Sequence, residues 1–312
     1  MFRAVDIGDG GDGTWAAPVR SRWDELHSWL TDEGRTPEGA AAARALFERH
    51  MPELVPTLDR LAAQIDRPGA DVLLTSAALR PFFSSCTQIG APGELLRNYD
   101  FSPDEVDGTI VRSNVLRPVL GMQEGAWGLL DGMNDAGLAV SLTFGGRFVH
   151  GAGFAVILVL RYLLETCDTV EQAVAKLRSI PIDIPQNVTI VDHERAVTVF
   201  VGPDMPLVQA RDACAANHQD RPVPAEQEAF TRTQQRLRAI RASGLDLASM
   251  LTPPLYQTAF DAGLGTVYTA HYRPGSGSVT YYWPNAQWTQ SFADFVSGER
   301  TVTLGSPMST NA

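Results

Sequence analysis

Residues 83–101 read FSSCTQIGAPGELLRNYDF. Cys86 has polar neighbours on both sides in this stretch, whereas an unpaired cysteine is more often a small buried apolar side chain. A reactive thiol needs a base, yet no histidine lies between His50 and His150. The stretch also marks the point where a helical part of the chain gives way to a strand-rich part. Cys86 is therefore the first candidate for chemistry, with a plain buried thiol as the alternative.

One base that needs no histidine is the α-amino group of Cys86 itself. That amine exists only if the Ser85–Cys86 peptide bond is broken. The ordinary pKa of an α-amino group, about 7.7–8.0, suits a general base at neutral pH. Enzymes with an N-terminal nucleophile use such an amine in place of a histidine. A further alternative keeps the chain uncut and uses a distant histidine, such as His218, as the base.

The composition is that of a soluble globular protein, because 44% of the 312 residues are hydrophobic and 20% are charged. A formal net charge of −11 argues against a nucleic-acid partner, since phosphate binding draws on clustered Lys and Arg. The N-terminus lacks the apolar region of a secretory signal, and the apolar run at 154–164 contains Arg161 and is too short to span a bilayer. The sequence thus predicts a cytoplasmic protein with no nucleic-acid and no membrane partner.

The cysteines give no sign of a disulfide framework or a zinc cage. The chain has three of them, Cys86, Cys167 and Cys214, an odd number at irregular spacing. The glycine-rich GDGGDG at 8–13 lacks the lysine and the preceding strand of a phosphate-binding loop. We therefore expect free thiols, no metal and no cofactor.

Hydrophobic periodicity divides the chain into helical and strand-rich parts. Residues 21–66 have apolar side chains at three- and four-residue spacing, which predicts helices. Residues 97–148 contain short apolar runs separated by Gly, Asp and Asn, which predicts strands. Further predicted elements follow in order: helices at 154–166 and 169–179, a strand pair at 187–192 and 196–201, a helix at about 226–243, and strands at 265–274 and 278–284. Grouped strands separated by helices predict an α+β fold of antiparallel sheets covered by helices.

An ordered set of motifs extends over most of residues 75–290. It comprises Cys86-Thr87, the segment RNYDF at 97–101, GLLDGMNDAGLAVSLTFGGR at 128–147, QNVTIVD at 186–192, AANHQ at 215–219, FTRTQQR at 230–236 and LGTVYTAHYRP at 264–274. The set resembles the N-terminal nucleophile (Ntn) hydrolases related to choloylglycine hydrolase, which cleave linear amide C–N bonds. It is most similar to their isopenicillin N acyltransferase-like branch of autoproteolytic acyltransferases and hydrolases.

This resemblance implies a particular architecture and a processing step. The implied fold is a four-layer αββα sandwich of antiparallel sheets. The family is made as precursors that cut themselves before the nucleophile, which here is the Ser85–Cys86 bond. The products would be a helical pro-segment, residues 1–85, and a catalytic fragment, residues 86–312, which together form one domain.

The resemblance also assigns roles by position in the motifs. Cys86 is the nucleophile and its freed amine is the base. Arg97 and Asp100 match the pair that orients the thiol and the amine, and a carboxylate near the amine would favour its charged form. A surface turn with an ordinary Arg/Asp pair is the alternative for these two residues.

An acyl-transfer site also needs hydrogen-bond donors aimed at the developing oxyanion. Asn217 matches the family's oxyanion asparagine. Relatives carry asparagine where this chain has Thr143, so the second donor would be the Thr143 hydroxyl or a backbone N–H. Arg232 matches a late active-site arginine, and Arg236, one helical turn further on, competes with it. A solvated helix face is the alternative for both arginines.

The sequence therefore predicts an autoprocessed cysteine amidohydrolase or acyltransferase that cleaves a linear non-peptide amide through a thioester on Cys86. The expected partner is a small-molecule amide, while an amine acyl acceptor and a homo-oligomer are left open. A largely apolar pocket for an uncharged acyl group is expected, with Phe82, Phe83, Tyr99 and Phe144 as candidate walls. A noncatalytic, uncleaved binding protein on the same fold is the alternative.

Overall fold

The computed structural model describes residues 1–305. The strands are β1 (Phe2–Asp6), β2 (Ser85–Ala91), β3 (Glu94–Phe101), β4 (Thr109–Asn114), β5 (Pro118–Glu124), β6 (Gly128–Asn134), β7 (Ala139–Phe144), β8 (Gln186–Val191), β9 (Ala196–Gly202), β10 (Met205–Gln209), β11 (Cys214–Ala215), β12 (Thr258–Ala259), β13 (Leu264–Arg273), β14 (Ser278–Trp283), β15 (Ala286–Ser291) and β16 (Gly298–Arg300). The α-helices are α1 (Ala16–Ser21), α2 (Trp23–Ser28), α3 (Pro37–His50), α4 (Val55–Ile65), α5 (Ala70–Thr75), α6 (Val156–Thr166), α7 (Val170–Leu177), α8 (Ala225–Thr231), α9 (Thr233–Ser243) and α10 (Leu247–Met250).

The strands form two sheets. The larger sheet has nine strands in the order β10-β9-β8-β7-β6-β5-β4-β1-β16. The smaller sheet has seven, in the order β11-β2-β3-β13-β14-β15, with β12 paired to β13. Pairing is antiparallel almost throughout, although β1 and β4 run parallel. The sequence pattern misses β1, because this strand is only five residues long and both of its partners lie far along the chain.

The two sheets pack face to face, with β2 and β3 of the smaller sheet against β7 and β8 of the larger one. Helix α6 covers β5, β6 and β7 on the outer face of the larger sheet, and α7 covers β8 and β9. Helices α9 and α10 lie on the outer face of the smaller sheet, against β2, β3 and β11. The predicted α+β fold, a four-layer αββα sandwich of antiparallel sheets, is confirmed.

The N-terminal helices α1–α5 share a core with the rest of the chain. Trp127 stacks on Phe47 of α3, and the Trp127 indole N–H donates to the Leu74 carbonyl at 2.8 Å. Trp15 likewise donates to the carbonyl of Ala126 at 2.8 Å. Residues on both sides of the Ser85–Cys86 bond therefore form one hydrophobic core.

Helix α6 is apolar nearly throughout and is buried against the larger sheet. Its one cation, Arg161, is buried and donates to Glu165 Oε1 at 3.1 Å and to Ser113 Oγ at 3.0 Å. Within residues 1–305, none of the helices has both the length and the apolar character needed to cross a membrane.

The helix predicted at about 226–243 is broken into α8 and α9. Arg232 lies between them in the left-handed region, with φ of 51°. The Glu228 carboxylate accepts from the backbone N–H groups of Gln234 at 2.8 Å and Gln235 at 3.1 Å. The first N–H groups of a helix have no partner within the helix, and these two bonds supply one. They therefore stabilise the beginning of a new helix at α9.

Candidate active site

The hairpin formed by β2 and β3 decides which side chains meet at Cys86. Gly93 in the turn has φ of 81°, a left-handed conformation that glycine adopts without steric cost. The strand register places Cys86 opposite Tyr99. Because successive side chains point to opposite faces of a strand, Cys86, Arg97 and Tyr99 face the space between the sheets, whereas Asp100 faces the outer helices. We call these the inner face and the outer face of the hairpin.

The thiol on the inner face is fully buried, with 0% of Cys86 exposed. Its Sγ lies 3.3 Å from Arg97 Nη2 and 3.8 Å from Ser84 Oγ. Burial raises the pKa of the Cys86 thiol, and the Arg97 guanidinium opposes that rise. The thiol is therefore protonated in the intact chain at neutral pH, so nucleophilic attack needs a base.

Arg97 is held by a hydrogen-bond and ion-pair network that the sequence motifs did not predict. Its Nη1 donates to the Leu130 carbonyl at 2.6 Å and forms a buried ion pair with Asp131. Asp131 Oδ2 accepts from the Tyr268 hydroxyl at 2.6 Å, and Oδ1 accepts from the Tyr272 hydroxyl. The signal for Asp131 was present in the sequence as a carboxylate in the middle of the apolar strand segment LLDGM, where a charge needs a buried partner.

The outer face is organised by Arg236. Its Nη1 donates to the Cys86 carbonyl at 2.7 Å and to Thr87 Oγ1 at 2.6 Å, and lies 3.4 Å from Asp100 Oδ2. Its Nη2 donates to Ser85 Oγ at 2.9 Å. A single buried guanidinium thus holds the backbone and both neighbours of Cys86 from the side opposite the thiol.

Asp100 is fully buried and has three partners on this face. Besides Arg236, it accepts from Gln257 Nε2 at 2.8 Å and from Thr266 Oγ1 at 2.7 Å. Burial raises the pKa of the Asp100 carboxyl, while the charge of Arg236 acts in the opposite direction. Arg97 and Asp100 therefore do not pair with each other, since each has its own buried partner of opposite charge.

Asn217 follows β11, which pairs with β2, and this pairing brings its amide to the start of β2. Its Oδ1 accepts from the backbone N–H of Cys86 and from Ser85 Oγ, both at 2.9 Å, and from Arg236 Nη2 at 2.6 Å. Its Nδ2 donates to the Ser84 carbonyl at 3.3 Å. The amide group thus contacts residues on both sides of the Ser85–Cys86 bond.

Two predicted residues lie one contact away from this cluster. The Thr143 hydroxyl donates to the Ala216 carbonyl at 2.8 Å, so its proton is already engaged. Arg232 Nη2 donates to Gln257 Oε1 at 3.1 Å and reaches Asp100 only through that glutamine. The structure places Arg236, not Arg232, against Cys86, because the break before α9 turns the two arginines in different directions.

His218 is also turned away from the thiol. Its Nδ1 lies 2.8 Å from Thr233 Oγ1 at the start of α9. The groups within hydrogen-bonding distance of Cys86 Sγ in residues 1–305 are Arg97 and Ser84. This geometry gives no support to His218 as the base.

A cavity of about 790 Å³ lies beside Tyr99, the strand neighbour of Cys86. Phe82, one of the candidate wall residues, lines it together with Trp29 and Leu79. Charged side chains line it as well, so its wall is mixed and not largely apolar. Two other candidate wall residues lie elsewhere, since Phe83 and Phe144 pack against each other with tilted rings, their centroids 4.9 Å apart, beside the exposed Phe148.

Comparison with protein families gives one match. The family model described as acyl-coenzyme A:6-aminopenicillanic acid acyl-transferase matches residues 90–288. Among curated proteins, no sequence matches the chain.

Comparison with solved structures gives matches at low sequence identity. A mutant of the conjugated bile acid hydrolase from Clostridium perfringens is 14% identical with a TM-score of 0.48, covering 73% of this chain and 99% of its own. The Caenorhabditis elegans orthologue of N-acylethanolamine-hydrolyzing acid amidase is 14% identical with a TM-score of 0.41, covering 62% of this chain and 93% of its own. Penicillin V acylase from Agrobacterium tumefaciens is 13% identical with a TM-score of 0.39, covering 67% and 86% respectively.

Proposed function

Because this chain belongs to the acyl-coenzyme A:6-aminopenicillanic acid acyl-transferase family, we propose that it is an autoprocessed cysteine amidohydrolase or acyltransferase that cleaves a linear non-peptide amide through a thioester on Cys86. The observation that supports this proposal is that two different side chains contact the thiol and the backbone nitrogen of Cys86. The Cys86 thiol lies 3.3 Å from Arg97 Nη2, and the Cys86 backbone nitrogen lies 2.9 Å from Asn217 Oδ1. The family match begins at residue 90, so the assignment of Cys86 rests on this geometry.

The first step is cleavage of the chain at Ser85–Cys86. Cys86 Sγ attacks the Ser85 carbonyl carbon, the peptide C–N bond breaks, and the thiol proton passes to the departing nitrogen. Water then hydrolyses the resulting thioester, which leaves a carboxylate on Ser85, a free thiol and an α-amine on Cys86. The proposed step is supported by the full burial of Cys86, because in the intact chain no substrate has access to the thiol.

Cleavage would complete the site. The new α-amine of Cys86 is a general base with an ordinary pKa near neutrality. Its nitrogen already lies 2.9 Å from Asn217 Oδ1. Departure of Ser84 would free Asn217 Nδ2 from the Ser84 carbonyl, which it contacts at 3.3 Å, and make that N–H available to an oxyanion.

Turnover repeats the same chemistry on an external amide. The Cys86 amine takes the thiol proton, Sγ attacks the amide carbonyl carbon, and the amine returns the proton to the leaving nitrogen as the C–N bond breaks. The acyl group remains on Sγ as a thioester. Water or an amine then attacks this thioester and regenerates the thiol, so hydrolase and acyltransferase differ only in the acceptor.

The proposal is tested by incubating purified, cleaved protein with a panel of N-acyl amides, with and without an added primary amine. We expect release of the leaving amine, and formation of a new amide when the added amine competes with water. A Cys86→Ala protein, which should stay uncut and lacks the thiol, serves as the inactive control. Equal product from both proteins, or no product from any amide, would contradict the proposed function.

A further inference from the structure

The cavity beside Tyr99 contains buried polar atoms that no part of the described chain satisfies. The Tyr99 hydroxyl, Asp107 Oδ2 and Glu124 Oε2 all lack a hydrogen-bond partner within residues 1–305, and all three residues line the cavity. Tyr99 is 0% exposed, Glu124 is 4% exposed, and the Asp107 side chain is 1% exposed. Buried polar atoms in folded proteins are nearly always paired, and leaving one unpaired costs free energy. Two of the three are carboxylate oxygens that need a hydrogen-bond donor, and the third is a hydroxyl that can accept from the same donor.

The charges around the cavity favour a cationic donor. Its wall contains three arginines and five carboxylates, namely Arg3, Arg22, Arg80, Glu25, Asp104, Glu105, Asp107 and Glu124. Arg22 is occupied by ion pairs with Asp107 and Glu25. Within the described residues Glu124 has no ion-pair partner, and its burial, followed by the nearby Asp107 charge, raises the pKa of its carboxyl, while the charge of Arg22 acts in the opposite direction. Because Arg22 is shared with Asp107 and Glu25, a ligand cation at Glu124 would supply a counter-charge of its own.

The rest of the wall is suited to an apolar chain. Trp29, Leu79 and Phe82 also line the cavity and give it an apolar portion. Tyr99 connects the cavity with the β2–β3 hairpin, because it lines the cavity and is the strand neighbour of Cys86.

The processing step indicates which half of a substrate this cavity receives. In that step the acyl group on the thiol is the chain that ends at Ser85. Leu79, Pro81 and Phe82 of that chain line the cavity. The acyl side of the scissile bond therefore already runs along its wall.

We propose that this cavity binds the acyl half of the substrate, and that the acyl group has an apolar body ending in an ammonium group that Glu124 and Asp107 accept. This inference rests on the proposed function and adds the substrate class. It replaces the uncharged acyl group expected from the sequence with one that carries a positive charge at its far end. Amino-terminated acyl chains are protonated at neutral pH, because an alkyl amine has a pKa of about 10.

The test compares two series of p-nitroanilides with the cleaved wild-type protein. One series has ω-aminoalkanoyl groups of increasing length, and the other has alkanoyl groups of the same lengths, so the leaving amine is constant. At the best length we expect kcat/KM for the amino series to exceed that of the alkanoyl series by about tenfold or more, since a hydrogen bond to a buried charge is strong. Faster turnover of the alkanoyl compound at every length would overturn this inference alone. No turnover of either series would overturn the proposed function, and this inference with it.

Glu124→Gln connects the preference to the cavity. The substitution keeps the side-chain shape and removes the charge, and we expect the amino-to-alkanoyl ratio to fall to about one. Glu38→Gln, on the exposed first turn of α3, makes the same change in net charge away from the cavity and should retain the wild-type ratio. Asp107→Asn provides a second variant if Glu124→Gln does not fold, with the same fall expected. A wild-type ratio in both cavity variants would contradict the proposal.

Discussion

The inner and outer faces of the β2–β3 hairpin hold different parts of the same residue. On the inner face, Arg97 contacts the Cys86 thiol at 3.3 Å and is anchored by Asp131. On the outer face, Arg236 contacts the Cys86 carbonyl at 2.7 Å and is paired with Asp100. In our account, the nucleophile and its future amine base are therefore positioned by two separate ion pairs, because neighbouring residues of a strand point to opposite faces.

The largest effect on stability and turnover is expected from removing the ion pair on the inner face. Arg97→Met leaves Asp131 buried without its cation, which should lower the free energy of unfolding by about 3–5 kcal/mol. It also removes the cation that favours the thiolate, so turnover should be lost. Urea unfolding and kcat/KM measure the two effects.

Arg112→Met is the matched control for this change. Arg112 pairs with Asp6 on a partly exposed surface, and such pairs contribute about 0–1 kcal/mol. If Arg97→Met were no more destabilising than Arg112→Met, and turnover persisted, the inner face would have no special role.

The next effect concerns Asn217, which accepts from the Cys86 backbone N–H and from Arg236 of the outer face. Asn217→Ala should reduce kcat by about 10²–10³, the usual loss for one oxyanion donor. Thr143→Val should affect stability more than kcat, because the Thr143 hydroxyl already donates to Ala216. Single-turnover kinetics and thermal melts separate these outcomes. Equal losses of kcat in the two variants would assign Thr143 to the oxyanion site after all.

A smaller effect is expected from the outer-face carboxylate. An ionised Asp100 favours the protonated Cys86 amine and so raises the pKa of that amine. Asp100→Asn removes this charge, and the acid limb of kcat/KM against pH should therefore move to lower pH by about one unit. Asp294→Asn, an exposed position, should leave the limb in place. A shift to higher pH in Asp100→Asn would contradict the assignment of the amine as base.

The smallest effects are expected at the two residues that lie outside both faces. Arg232→Ala and His218→Gln should each keep kcat/KM within about twofold to threefold of the wild-type value, the range typical of substitutions away from a site. If His218→Gln abolished turnover while the chain stayed uncut, the base would be His218 and not the Cys86 amine.

The sequence predicted much of the fold and the set of motifs around the site. The grouped strands and helices indicated the α+β class, and the family match over residues 90–288 confirms the resemblance to the acyltransferase-like branch. The two-residue period of β3 also contains the information that Arg97 and Asp100 face opposite ways, but the motif alone suggested a pair.

The remaining features depend on contacts between distant segments. Asp131 meets Arg97 only when the two sheets pack, so no local pattern links them. The choice of Arg236 over Arg232 depends on the break at Arg232, where the Glu228 side chain restarts the helix. The cavity requires residues from the first helices and from β3 to meet, which periodicity does not reveal.

Intact-mass analysis of freshly purified protein, before and after incubation at neutral pH, tests the claim that the chain cuts itself to create an N-terminal Cys86. We expect two fragments, residues 1–85 and 86–312, with the larger one beginning at Cys86. Cys86→Ala should remain one chain, and Cys86→Ser should cut slowly, because a hydroxyl performs the same acyl shift less well. A wild-type protein that stays full-length after long incubation, yet turns over an amide, would contradict the claim.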